Sequence, residues 1–156
     1  MKEEIIDKNM EIKSLELLLT AESWLSKNNG VAIATVIRTW GSSPRPVGSQ
    51  MIISEKAQIE GSVSGGCIEG SVIENALEII SGQPAKKLDF GVTNETAWQV
   101  GLTCGGKITI FIESFKPIFN SKIYTYFKKS LLIRNRIISV INLSSEKKYL
   151  LVNGEW

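Results

Sequence analysis

The sequence predicts an α+β fold: a single domain on a mixed β-sheet of about six to eight strands, with two main helices packed on it. Three observations predict it. Several short runs rich in β-branched residues recur along the chain, Val31-Ala32-Ile33-Ala34-Thr35-Val36-Ile37 the clearest. Between them lie stretches with apolar residues at helical spacing. The length, 156 residues with 43% apolar content, suits one compact domain with its own core.

Residues 1–13 read as a flexible polar lead-in, and residues 14–156 as the domain. Ser14 is placed to cap a helix to about Lys27, with Leu17, Leu18, Ala21, Trp24 and Leu25 on one face. Asn28-Asn29-Gly30 ends it with residues that tolerate positive φ. Val31–Ile37 follows as a buried strand. Gly41-Ser42-Ser43-Pro44-Arg45-Pro46 is a loop, because its glycine and prolines interrupt both kinds of ladder. Gln50–Ser54 and Gln58–Val63 form a hairpin around Glu55-Lys56. Ser64-Gly65-Gly66-Cys67 turns into a helix from about Ile68 to Ile80, striped by Ile68, Val72, Ile73, Ala76 and Ile80. Gly82 and Pro84 stop it. Short strands at Lys87–Phe90 and Lys107–Glu113 flank a helical turn expected between Thr93 and Trp98. A helix from Ser121 to Leu132 and strands at Arg136–Asn142 and Lys148–Val152 complete the chain.

Composition excludes much chemistry. The chain has no histidine and two cysteines. That removes Ser-His-Asp and Cys-His machinery, imidazole general bases and histidine zinc sites. Two thiols do not complete a Cys₄ site. A net charge of +2 gives no nucleic-acid footprint. The charged first residues lack a signal-peptide core, and no apolar run is long enough to span a membrane. A cytoplasmic protein without membrane or nucleic-acid partners is expected, with no catalytic residue and no metal ligand set assigned.

Glycine placement is the main functional signal: eleven of 13 glycines fall between Gly41 and Gly106. Three clusters stand out among them. The first, Gly41 to Ser49, offers Ser43, Gly48 and Arg45, whose guanidinium suits phosphate or carboxylate; an ordinary turn with a solvated arginine is the competing reading. The second, Ser62 to Gly70, places Ser64, Gly65, Gly66, Cys67 and Glu69 at a strand–turn–helix junction. There backbone amides invite an anion and a thiolate is stabilised. Cys67 as a small buried hydrophobe, and Glu69 as a helix-dipole partner, are the alternatives. The third, Gly101-Leu102-Thr103-Cys104-Gly105-Gly106, precedes a strand, so Cys104 is as well explained by structure as by function. None matches a Walker A loop or a dinucleotide fingerprint. Trp24, Trp40, Trp98 and Trp156 read as core or rim residues.

Three segments resemble one family in order and spacing: Thr39 to Met51, Gly61 to Glu69, and Gly101 to Lys107. The chain resembles the XdhC/CoxI family, the xanthine dehydrogenase accessory factors, over roughly Leu15 to Glu113. The resemblance implies a protein that binds the molybdenum cofactor as cargo and holds it during sulfuration, with a cysteine desulfurase as sulfur source. Delivery to a xanthine dehydrogenase-type molybdenum hydroxylase would follow. It implies an accessory protein, not an enzyme. Cofactor-binding residues would be Cys67, Ser64, Gly65, Gly66, Glu69, Arg45, Ser43, Gly48, Cys104, Gly105 and Gly106, with Cys67 the position associated with the cofactor. Many members carry a C-terminal Rossmann domain absent from this sequence; the resemblance then implies either a short, single-domain member or a separate Rossmann-domain chain as a partner, and a homodimer through a sheet edge is a further expectation. Two other readings stand beside this one. One is a thiol-dependent sulfur-transfer enzyme using Cys67, with Cys104 resolving. The other is an interaction module in molybdoenzyme maturation.

Overall fold

A computed structural model describes residues 8–27, 29–43, 45–91, 106–132, 137–142 and 148–152. They form helix α1 (Lys8–Ser26), strands β1 (Val31–Trp40), β2 (Gln50–Ser54) and β3 (Ile59–Gly61), helix α2 (Glu69–Ile80), strands β4 (Lys86–Gly91) and β5 (Lys107–Ser114), helices α3 (Phe115–Phe119) and α4 (Lys122–Leu132), and strands β6 (Ile137–Ile141) and β7 (Lys148–Val152). The expected turn between Thr93 and Trp98 lies outside the described residues.

Two compact units result, Met1–Lys116 and Pro117–Trp156. The boundary falls inside the 14–156 span that the sequence suggests as one domain. In the first unit a five-stranded sheet has the order β3-β2-β1-β5-β4. Every pairing in it is antiparallel. Among the described residues this sheet is antiparallel and five-stranded, not mixed, and the expected six to eight strands are not seen in it; β6 and β7 pair with each other in a two-stranded sheet. Short tight connections β1–β2 and β2–β3 can only make antiparallel neighbours, since a parallel return needs a longer crossover.

The α2 side of the sheet holds the main core. Ala32, Ala34 and Val36 of β1, Met51 and Ile53 of β2, and Ile108, Ile110 and Ile112 of β5 alternate inward, as period-2 geometry requires. They meet Ile68, Val72, Ala76 and Ile79 of the helix segment, with Leu88 and Phe90 at the margin. Ile79 joins the stripe that the sequence suggests, whereas Ile73 and Ile80 are only partly buried. On the opposite face Ile33 and Ile52 are also buried, and α1 lies against β2 and β1. Leu17, Leu18 and Ala21 are buried on it.

Helix α1 starts at or before Lys8, not at Ser14. Lys8, Met10, Glu11 and Lys13 are good helix formers, and nothing between them breaks the backbone. Helix α2 ends in a Schellman arrangement: Gly82 (φ +115) donates its amide to the Ile79 carbonyl and Gln83 donates to Glu78, both at 3.1 Å. Gly82→Ala is expected to lower stability by about 1 kcal/mol through the left-handed φ alone, measurable by urea denaturation, since a methyl there meets no neighbour within 4 Å. In the second unit Ser121 caps α4, its Oγ accepting from the Tyr124 amide at 3.1 Å, and α4 lies against the β6–β7 hairpin.

Candidate functional site

Strand direction brings the glycine clusters together. β1 ends, β2 begins, β3 ends, β5 begins and β4 ends at the same edge of the five-stranded sheet, because all neighbours are antiparallel. The loop 41–49, the turn 62–68 and Gly106 all sit there, at the end where α2 starts. The far end of α2 marks the opposite edge, where a Cβ on Gly30 would overlap Ile80 Cγ2.

The first and third clusters touch. Gly41 (φ +72) lets the chain leave β1 and fold over β5, and a Cβ built on it would lie 3.6 Å from the Gly106 Cα. A Cβ on Gly106 would overlap the Ser42 carbonyl oxygen and lie 2.8 Å from its carbon. Within the loop, Ser43 Oγ donates to the Arg45 carbonyl at 2.9 Å. Gly48 (φ +91) donates its amide to the Val36 carbonyl at 2.8 Å, closing the hairpin. Arg45 is exposed. Cys104 and Gly105 lie outside the described residues; Gly106 is buried against the loop.

The second cluster starts one strand away, where the Ser62 amide donates to the Gln50 carbonyl at 3.2 Å. Its centre is Glu69. One carboxylate oxygen accepts from Ser62 Oγ (2.9 Å) and the Ser64 amide (3.0 Å). The other accepts from Ser64 Oγ and from the Gly66 amide (2.9 Å). Ser62 Oγ accepts from the Gly65 amide at 2.9 Å. Ser64 Oγ accepts from the amides of Cys67 and Ile68, each at 3.1 Å. Burial of Glu69 pushes its pKa up, but the hydrogen bonds from Ser64 and Ser62 outweigh it and hold the carboxyl at about 2.

This network revises the anion reading of the turn. An anion does sit among these amides, and it belongs to the chain itself: every amide from Ser64 to Ile68 already donates to Glu69, Ser62 or Ser64. Gly65 (φ +76) and Gly66 (φ +116) supply the left-handed steps that aim them. Ser64 is buried, while Gly65, Gly66 and Cys67 are exposed. The turn thus holds the Cys67 thiol at the surface on a backbone fixed from beneath, two residues before the helix.

A cleft of about 520 Å³ opens at the same edge of the sheet, lined by Arg38, Thr39, Trp40, Asp89, Lys107 and Thr109 among others. Sequence reasoning missed it, treating Trp40 as core or rim, whereas Trp40 is 67% exposed. The available signal was a broken alternation: after Ala32, Ala34 and Val36, the inward period would bury Arg38 and Trp40. Among the described residues no cluster of three or more acidic, cysteine or histidine side chains forms a metal site, and no helix is long and apolar enough to cross a membrane.

Comparison with known proteins finds similarity to one family. Residues 24–91 match the model of the XdhC and CoxI family. They contain β1, the Arg45 loop, the Cys67 turn and α2. The chain is 30% identical over 101 residues to the molybdenum cofactor insertion chaperone PaoD of Escherichia coli, covering 64% of this chain and 31% of that protein. It is 25% identical over 139 residues to a probable xanthine dehydrogenase subunit from Bacillus subtilis, covering 86% of this chain and 42% of that protein. The chain therefore spans well under half the length of these relatives. A crystal structure described as a xanthine dehydrogenase from Bacillus halodurans shares the fold, with a TM-score of 0.65 at 23% identity, over 88% of this chain and 41% of that one.

Proposed function

We propose that this XdhC/CoxI-type chain is an accessory protein that binds the molybdenum cofactor as cargo, holds it while its sulfido ligand is installed, and passes it to a xanthine dehydrogenase-type molybdenum hydroxylase. The observation that carries this reading is the Cys67 turn: an exposed thiol on a backbone locked by Glu69, Ser62 and Ser64. Sulfur is a soft donor, matched to a molybdenum–dithiolene cargo. A rigid platform holds such a cargo without losing side-chain and loop entropy on binding. The name of the Escherichia coli relative supports the same cargo. The chain's own residues hold and shield; the sulfur comes from a cysteine desulfurase.

The test is retention of cargo. The full chain, expressed in a host that makes the cofactor and purified anaerobically, is expected to carry pterin detectable by fluorescence after oxidation. Cys67→Ala should reduce that content by about tenfold, the loss of roughly 1.4 kcal/mol of binding. Equal pterin in both proteins, or none in the wild type, overturns the reading.

A further inference from the structure

We propose that the cleft at the ends of β1, β5 and β4 binds a planar 2-amino-4-oxo heterocycle bearing a phosphate group. Its identification with the pterin end of the cofactor rests on the function proposed above; the chemistry of the cleft does not.

The cleft exists because β1 is bulged. Val36 pairs with Ile110, but Arg38, two residues on, pairs with Thr109, leaving Ile37 as the extra residue. The bulge flips the alternation. Arg38 and Trp40 leave the core side and join Thr109, Lys107 and Asp89 on the opposite face, a re-aiming that bulges commonly perform beside binding sites. Two rows result. In one, Arg38, Thr109 and Asp89 are cross-strand neighbours; in the other, Trp40, Lys107 and Gly91. Gly91 makes room for the lysine stem, since a Cβ there would come within 2.6 Å of Lys107 Cγ.

Each group answers one part of the ligand. The exposed indole of Trp40 offers a stacking face, with Lys107 Nζ 5.6 Å from its ring centroid. Arg38 and Lys107 supply two cations for a phosphate. Asp89, oriented by a 2.6 Å hydrogen bond from Thr109 Oγ1, supplies an acceptor on β4, across Thr109 from Arg38. A 2-amino-4-oxo ring presents two adjacent N–H donors on one edge, which a carboxylate accepts. A bare polyanion would be repelled by that carboxylate. The volume, about 520 Å³, lies in the range of small-molecule sites. The cleft also supplies phosphate-binding cations at this edge, where the amides of the Cys67 turn are already taken.

Pterins and guanine nucleotides share this chemistry, and calorimetry on the full chain distinguishes them. The probes are neopterin monophosphate and GMP, with neopterin, guanosine, AMP and inorganic phosphate as comparisons. Binding of one or both phosphorylated 2-amino-4-oxo probes is expected, at least about tenfold weaker without the phosphate and for AMP. The tighter of the two names the source. Arg38→Ala, Trp40→Ala, Lys107→Ala and Asp89→Asn alter exposed or rim positions and should each weaken binding several-fold with the unfolding midpoint unchanged. No binding by wild type, AMP binding as tightly as GMP, or variants that bind as wild type would each overturn the proposal. The cargo assay separates the two readings. If pterin is retained equally by wild type and the cleft variants but lost in Cys67→Ala, the cleft assignment fails and the cargo reading stands. If the probes bind but no pterin co-purifies, the reverse holds.

Discussion

Gly106→Ala is expected to destabilise the first unit by about 3 kcal/mol, read as a drop in urea midpoint at unchanged slope. The added methyl would overlap the Ser42 carbonyl oxygen, with the Trp40 carbonyl oxygen at 3.2 Å as well. Both are backbone atoms, so no rotamer change relieves the overlap. Either β5 moves away from the 41–49 loop or the loop lifts off. Because Trp40 and Lys107 flank this contact, the same substitution should also weaken ligand binding at the cleft. The control is Gly70→Ala, where a Cβ meets nothing within 4 Å; Gly70 is helical, so alanine there should be neutral or slightly stabilising. Equal stability of the two variants would show that the Gly41–Gly106 contact does not constrain the fold.

Glu69→Gln is expected to cost about 2 kcal/mol, because an amide nitrogen replaces an oxygen that accepts from Ser64 Oγ and the Gly66 amide. Donor then faces donor, and the turn must reopen to water. The effect has a pH signature. The folded carboxyl titrates at about 2 against an ordinary 4.5, so its ionised form stabilises the native state. That contribution is complete above pH 4.5 and disappears as pH falls towards 2. The stability gap between wild type and Glu69→Gln should therefore be constant near neutrality and narrow across this acid window. A gap independent of pH would mean that the carboxylate charge contributes nothing. Alkylation of Cys67 by iodoacetamide should change rate in the variant, since the backbone that presents the thiol is then unlocked.

Much of the architecture is readable from local signals. β2 occupies Gln50–Ser54 as the β-branched run and its flanking turn suggest. α2 runs Glu69–Ile80, one residue from the expected start, because Gly82 and the apolar stripe set its end and face locally. β1 extends three residues beyond the expected strand: Arg38, Thr39 and Trp40 do not look like a buried strand, and only pairing with β5 keeps them extended. β3 is shorter than the Gln58–Val63 run, since it is an edge strand and residues beyond Gly61 turn away to serve the Glu69 network. α3 has no counterpart among the expected elements; Pro117 stands in its first turn, where a proline is tolerated.

At the functional edge the division is sharper. The sequence by itself determined the ingredients: three glycine clusters, a serine–glycine turn, one cysteine before a helix, and a family resemblance carried by those motifs. These are local properties, set by which residues accept positive φ and which side chains bond backbone within a few positions. Only the tertiary structure decided what they face. Whether the turn's amides meet a ligand or Glu69 depends on a side chain returning from the first turn of α2. Whether Arg38 and Trp40 point into the core or into a cleft depends on one bulge residue in the pairing of β1 with β5, strands separated by most of the first unit. Register between distant strands is a property of packing, and no window of sequence contains it.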